Sequence, residues 1–415
     1  MSLVLLGVAT FTTVVVVLVM LLMWARARLV PAGDVLLLIN DDPGKALKVP
    51  AGRTLLSALA EKNVMVPSAC GGKGTCGLCK VQVHGAGEAL PTEQGFFTRG
   101  ELLNGSRLAC QVKIKSDLKV RVAAEAFDIG EWTGRVVSNV SVADFLKELV
   151  LDLPPSADVP YLAGQYVQFR CPPHAVAYKD FEIPSRFRKS WDRDNLWRHV
   201  SVCKEPVERA YSMASHPLEK GQLKFDIKVC PPPSGAPDGT PPGIMSSWLF
   251  GLKPGDEITF TGPYGEFLAT DTEAEMIFIG GGAGMAPLRS IVFDQLFRLN
   301  SQRRISFWYR AHSLRDALYR DELEKLAAER PNFSFHLCLS KPEPEDNWTG
   351  YVGYIHNFLY DTYLKNHPAP EDCEYYLCGP RALSNMVLKL LADLGVEKES
   401  IFYDNFAGED HVTAH

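Results

Sequence analysis

Residues 3–24 form a single apolar run without a charged side chain. About 22 residues at roughly 1.5 Å each match the ~30 Å hydrocarbon core of a bilayer, so the pattern predicts a transmembrane helix, broken by Pro31 and Gly33. A cleaved signal peptide is the rival reading, because Ala25, Arg26 and Ala27 have the small-x-small form of a cleavage site. The run is too long for a signal-peptide core, no Lys or Arg precedes it, and Arg26 and Arg28 follow it. By the positive-inside rule those arginines hold the rest of the chain in the cytoplasm, and the expectation is an uncleaved single-pass anchor over residues 1–30.

The pattern then changes period. Residues 35–40 read as a strand, 54–60 as a short helix, and 80–84 and 118–122 alternate as strands, which predicts a small mixed sheet over 33–127. From 130 to 270, alternating strands at 134–138, 165–169 and 223–229, separated by Pro and Gly turns, predict an antiparallel barrel. One stretch, 171–199, breaks that rhythm: Phe181, Phe187, Trp191 and Trp197 are mixed with Arg186, Arg188, Lys189, Arg193 and Arg198. It reads as an inserted loop, either an interface or a solvated flap. The proline-rich stretch 231–242 reads as a loop. Over 272–415, a buried strand at 276–279, a glycine turn at 280–284 and an amphipathic helix at 286–299 come first. Strands at 305–309, 333–337 and 375–377, with helices at 321–330 and 383–394, follow. Such alternation predicts a doubly wound parallel sheet.

Length and charge narrow the reading. A chain of 415 residues can build two or three cores, and a net charge of −6 without a basic stripe argues against nucleic acid as a partner.

Cysteine usage brings in chemistry. Cys70, Cys76, Cys79 and the distant Cys110 surround a glycine-rich stretch, with spacing C-x5-C-x2-C, one residue longer in its first gap than the plant-type [2Fe–2S] pattern. Gly71, Gly72, Gly74 and Gly77 allow positive φ and let backbone N–H groups face the sulfurs of a cluster. A four-cysteine zinc site is the alternative, but zinc modules pair two short knuckles and here the fourth ligand stands alone. The other six cysteines, at 171, 203, 230, 338, 373 and 378, have no framework spacing, which fits a reducing compartment. All but Cys378 read as small buried or half-buried thiols.

Two further constellations suit nucleotides. Gly280 to Pro287 lies between a buried strand and a helix, where backbone N–H groups and the helix dipole favour a pyrophosphate; a plain tight turn is the alternative. Cys378, Gly379 and Pro380 end a second strand that should reach the same crevice, leaving room for a flat ring beside the thiol. Arg209 and Tyr211 share one face of a strand, with Ser212 beside them, and suit a diphosphate and a flat heterocycle. Gly243 to Ser246 begins a helix that could meet the same diphosphate, although each of these residues taken singly is also ordinary structure.

In this order the pieces resemble a ferredoxin domain joined to the ferredoxin-NADP reductase family. With the anchor and the insert, the whole chain is similar to the NADH-oxidising flavoprotein subunits of sodium-translocating NADH:quinone oxidoreductases. The resemblance implies a β-grasp ferredoxin-like domain holding [2Fe–2S] on Cys70, Cys76, Cys79 and Cys110, and a barrel holding FAD on Arg209, Tyr211, Ser212, Gly243, Met245 and Ser246. It implies a doubly wound domain binding NADH at Gly281, Gly282, Gly284, Pro287, Cys378, Gly379 and Pro380, and Phe406 stacked on the flavin. Arg310, His312, Ser313 and Arg315 leave a 2′-phosphate open on the residues alone, so NADH over NADPH is the family's implication. Hydride would pass from NADH to FAD, with Cys378 at the hydride step, then single electrons to the cluster and on to partner subunits. The apolar run has no ionisable side chain, so sodium movement and quinone reduction are assigned to those partners in a bacterial inner membrane. Two alternatives stand beside this: a reductase feeding an oxygenase, and a membrane-tethered ferredoxin whose other domains are a scaffold.

Overall fold

The computed structural model describes residues 2–29, 33–68, 70–127, 129–155, 159–233, 235–237 and 239–404. By contact density these form two compact units that divide at 129/130.

In the first unit, Ser2–Leu29 is one helix, α1. Among the described residues no helix is long and apolar enough to cross a membrane. Several α1 side chains fall outside the described set; those inside it, among them Phe11, Val14, Leu18 and Trp24, are apolar and exposed. The strands β1 (Asp34–Ile39), β2 (Leu47–Pro50), β3 (Lys80–His84), β4 (Ser106–Leu108) and β5 (Leu118–Arg121) form a mixed sheet in the order β2-β1-β5-β3-β4. Only β1 and β5 run parallel. Helix α2 (Leu55–Ala60), capped by the Thr54 hydroxyl, packs Leu55 and Leu59 onto Leu37, Ile39, Val81 and Val120. After the short α3 (Arg99–Leu103) comes a buried ion pair: Arg107 donates to Glu93 at 2.8 Å, and Glu93 also accepts the Leu108 amide at 2.8 Å. A buried charge persists only when paired and hydrogen-bonded in this way, and the pair fixes the chain entering Cys110.

The second unit opens with β6 (Gly130–Ala143), β7 (Leu146–Asp152) and β8 (Tyr166–Cys171), and continues through the hairpin β9 (His174–Ala177) and β10 (Val200–Cys203), which encloses α4 (Ser185–Arg193). Next come β11 (Val207–Ser212), β12 (Gln222–Lys228), α5 (Ile244–Gly251) and β13 (Glu257–Tyr264). Six of these strands form an antiparallel sheet, β11-β8-β13-β6-β7-β12, and an isolated bridge between Met213 and Phe225 joins its two edges. Closure removes the edge strands. Phe169, Phe225 and Phe260 fill the interior, with ring centroids 4.8 and 5.9 Å from Phe169.

The stretch 171–199 is not a loop. It folds into β9 and α4, and Tyr178, Phe181, Phe187 and Trp191 are buried in the barrel's own core with Phe250 of α5, while Trp197 is half-buried. The basic residues Arg186, Arg188, Lys189 and Arg193 take the outer face of α4. A helical period, hidden by the mixed composition, separates the two sets.

The last part alternates β14 (Met276–Gly281), α6 (Met285–Phe293), β15 (Ile305–Ala311), α7 (Arg320–Glu329), β16 (Phe333–Leu339), α8 (Ile355–Thr362), β17 (Glu374–Cys378), α9 (Arg381–Asp393) and β18 (Ile401–Asp404). The sheet is parallel throughout, in the order β16-β15-β14-β17-β18, so its direction of growth reverses between β14 and β17. Helix α6 differs from its sequence reading: it gives way to a π-type turn at Asp294–Arg298 and is buried all round. Its polar residues face the barrel. Arg289 donates to the Ala214 carbonyl at 2.7 Å and pairs with Glu219 and Glu322, and Ser290 donates to the Ser215 carbonyl at 2.7 Å.

Candidate functional site

In the first unit the cysteine loop brings its sulfurs together in pairs. Cys70 and Cys76 lie 3.4 Å apart, and Cys79 is close enough to Cys110 to hydrogen-bond with it. Within the pairs, donation from Cys76 lowers the Cys70 thiol and donation from Cys79 lowers that of Cys110. The loop is shaped for close approach: Gly71, Gly72, Gly74 and Gly77 all have positive φ, and a Cβ on Gly77 would stand 2.3 Å from the Phe96 ring. A [2Fe–2S] rhomb asks each iron to take two thiolates, and two close pairs on a glycine loop fit that demand.

In the second unit, β11 carries Arg209, Tyr211 and Ser212. Nη1 of Arg209 donates to the Glu208 carbonyl at 2.6 Å, one of five donors on the fork, and Tyr211 leans on Phe169 with centroids 5.6 Å apart. Gly243 precedes α5 without a side-chain cap, and a Cβ there would lie 2.6 Å from Ser246 Oγ and 3.0 Å from Cys230 Cβ. That close packing brings bare backbone to the helix start, which suits a diphosphate. Ser246 Oγ accepts the Cys230 amide at 3.3 Å, and the Met245 side chain is buried in the core, so Met245 can offer a ligand only its backbone.

The candidate nucleotide site is the crevice at the carboxyl ends of β14 and β17. Gly280 is in register with Cys378 and Gly281 with Arg310. Gly282 has φ +58, and a Cβ on Gly284 would fall 2.1 Å from the Cys378 carbonyl oxygen, so both turn positions need glycine. Pro287 sits buried in the first turn of α6, while Gly379 and Pro380 lead into α9. The reversal of strand order between β14 and β17 is where open α/β sheets take ligands. Cys378 is fully buried, and burial pushes its thiol well up, so it is a neutral thiol and not a thiolate. Arg315 is engaged by Asp144 at 3.0 Å and Glu343 at 2.9 Å, which leaves it poorly placed to pair with a 2′-phosphate.

One residue escaped the sequence reading. Asp404, in register with Cys378 across β17 and β18, accepts a hydrogen bond from Ser212 Oγ at 3.3 Å. Burial raises its carboxyl to about 6, against the lowering effect of the Ser212 bond. The available signal was an acid at the end of an apolar strand. Of the other cysteines, Cys171, Cys203, Cys338 and Cys373 are buried, whereas Cys230 is exposed. Phe406 lies outside the described residues.

Comparison with known proteins finds three families in one chain: the 2Fe-2S iron-sulfur cluster binding domain over 39–115, the oxidoreductase FAD-binding domain over 195–268 and the oxidoreductase NAD-binding domain over 278–389. The chain is 55% identical to NqrF of the Na(+)-translocating NADH-quinone reductase from Pseudomonas aeruginosa, over 97% of this chain and 98% of the relative. It is 53% identical to the protein of that name from Psychrobacter arcticus, over the same shares. Among solved structures, an Amycolatopsis cytochrome P450 reductase (TM-score 0.62, 24% identity) and a ferredoxin reductase in carbazole 1,9a-dioxygenase (TM-score 0.59, 22% identity) share the fold. Each is matched over 90% of this chain and 98% of its own.

Proposed function

The chain belongs to the NqrF family of Na(+)-translocating NADH-quinone reductase subunits, and from that premise we propose how its residues divide the work of a subunit that oxidises NADH with a flavin and a 2Fe-2S cluster. The observation that carries the proposal is the Ser212–Asp404 contact, which ties the strand of the flavin signature to the last strand of the nucleotide sheet. FAD supplies the step from a two-electron hydride to the single electrons that a [2Fe–2S] cluster accepts.

The domains are assigned as 33–127, 130–270 and 272–415, and the change of sheet near residues 130 and 272 supports the division. In the barrel, Arg209 and the α5 start at Gly243 to Ser246 would hold the diphosphate of FAD, with Tyr211 and Ser212 toward its ring system. In the crevice, Gly281, Gly282, Gly284 and Pro287 would seat the NADH pyrophosphate, and Cys378, Gly379 and Pro380 would leave room for the nicotinamide. Phe406 would cover the flavin. Cys378 positions the ring through contact and stays protonated. Asp404, when ionised, favours the positive charge that nicotinamide acquires as hydride leaves. Cys70, Cys76, Cys79 and Cys110 would hold the cluster.

The reading extends to the membrane. Residues 1–30 would anchor the chain in a bacterial inner membrane with the remaining domains in the cytoplasm; the uncharged run at 3–24 and the exposed apolar side chains of α1 support this. With no ionisable group in that run, sodium transfer and quinone reduction belong to the other subunits. The test is to follow detergent-extracted protein by absorption and EPR during NADH addition. Bleaching of a flavin band followed by a rhombic one-electron iron–sulfur signal is the expected result, and a reduced cluster without flavin bleaching would overturn the order.

A further inference from the structure

We propose that Glu275, His367 and Cys373 form a structural zinc site at the amino-terminal edge of the nucleotide sheet, remote from the redox site. Their ligand atoms all lie within 4.8 Å of one another. His367 Nε2 is 3.3 Å from Glu275 Oε2 and 3.8 Å from Cys373 Sγ. A tetrahedral zinc with bonds of about 2.3 Å to sulfur and about 2.0 Å to nitrogen and oxygen would separate N from O by about 3.3 Å and S from N by about 3.5 Å. The His367 pairs with Glu275 and Cys373 already stand near those spacings, and the carboxylate and the sulfur lie within 4.8 Å of each other.

Topology explains the juxtaposition. Met276 and Glu374 are in register across β14 and β17, so Glu275 and Cys373, one residue earlier on each strand, come out side by side. His367 arrives from the segment between α8 and β17. The site is enclosed: the His367 and Glu275 side chains are 10% and 13% exposed, and Cys373 is 2% exposed. The second oxygen of Glu275, Oε1, accepts from the Tyr363 hydroxyl and lies 3.9 Å from Arg304, an arrangement that orients the carboxylate and turns Oε2 toward the other two donors. A thiol, an imidazole and a single carboxylate oxygen match borderline-soft Zn²⁺ and not Mg²⁺ or Ca²⁺, which take all-oxygen sets.

Binding would release one proton, from the Cys373 thiol, and would move the His367 ring proton from Nε2 to Nδ1. Nδ1 of His367 accepts the Ala369 amide at 3.3 Å, so Nε2 bears the ring proton and directs it at Glu275. Zinc therefore requires the ring to change tautomer and give up the Ala369 contact, which is long for a hydrogen bond. A water would complete the tetrahedron. Five residues separate Cys373 from Cys378 along β17, about 16 Å, so the ion would clamp the 363–373 segment to the sheet and take no part in electron transfer.

The test uses the full-length detergent-extracted protein, dialysed against about 10 μM zinc sulfate and then against buffer, with zinc counted per FAD. Wild type is expected to retain about one equivalent more than Cys373→Ser, His367→Gln or Glu275→Gln, with unchanged NADH-to-ferricyanide turnover. Zinc-edge X-ray absorption of the wild type should give one sulfur near 2.3 Å and nitrogen or oxygen neighbours near 2.0 Å. Equal zinc in wild type and variants, or a zinc shell with no sulfur or with two or more, overturns the proposal. If a variant loses FAD, the wild-type absorption spectrum decides alone.

Discussion

Ser212 Oγ donates to Asp404 at 3.3 Å, a contact between residues 192 positions apart that binds barrel strand β11 to the last strand of the nucleotide sheet. It places a titratable acid in register with Cys378, at the end of the strand proposed to face the nicotinamide.

Asp404→Asn should keep FAD and slow flavin reduction by NADH about 10-fold, the effect of losing ~1.4 kcal/mol of charge stabilisation. Burial raises the carboxyl to about 6, so the wild-type rate should rise with pH through that region as the acid ionises, and the variant should lose that inflection. Stopped-flow flavin bleaching between pH 5 and 8 measures both.

Cys378→Ala should also slow flavin reduction at saturating NADH, by about 10-fold, through looser placement of the ring. Because burial keeps the Cys378 thiol protonated across this range, its loss should leave the inflection near pH 6 in place. A wild-type rate would reduce Cys378 to packing.

In the first unit, Cys76→Ala should abolish the iron–sulfur EPR signal while FAD content and NADH-to-ferricyanide activity persist, since the two cofactors are assigned to separate units. Gly77→Ala should impair cluster retention as well, because φ is +70 there and the added Cβ meets the Phe96 ring. Iron content per FAD reports on each.

Tyr319 donates toward Glu148 at 2.8 Å and Asp226 at 2.9 Å, yet one hydroxyl proton can serve only one carboxylate. Burial, reinforced by Glu148 on the neighbouring strand, lifts Asp226 to about 7. The folded chain therefore retains a proton that the unfolded chain releases above its ordinary carboxylate range. Stability from this group is full below about pH 4 and falls by up to ~1.4 kcal/mol per unit as pH rises toward 7. Asp226→Asn should flatten that slope relative to wild type in urea melts across pH 4 to 8.

Deleting residues 1–24 should move the protein from the membrane fraction to the soluble fraction with FAD, cluster and ferricyanide activity intact, and abolish assembly with the other subunits. Recovery of the full-length chain in the soluble fraction would count against the anchor.

Much of the fold was legible because the signals are local. The 180° alternation at 80–84 and 223–229 became β3 and β12, the apolar run at 276–279 became β14, and Gly282 and Gly284 mark a turn whose backbone only glycine accommodates. The cysteine loop was legible for the same reason, since ligand spacing and positive-φ glycines lie within a few residues of each other.

The insert and α6 were misread where a face had to be assigned to a neighbour that sequence does not name. Phe187 and Trp191, read as part of an inserted loop, are core; the 286–299 helix, read as amphipathic, is buried on every side over Met285–Phe293, and its Arg289 and Ser290 bond the backbone of the barrel. By itself the sequence determined the succession of elements, the glycine-rich turns and the apolar N-terminal run, since periodicity and φ preference act between near neighbours. Only the tertiary structure decided that Ser212 meets Asp404, that Tyr319 stands between Glu148 and Asp226, and that Glu275 and Cys373 emerge together. Strand order and register bring those residues within a few ångströms, and neither is written in any one segment of the chain.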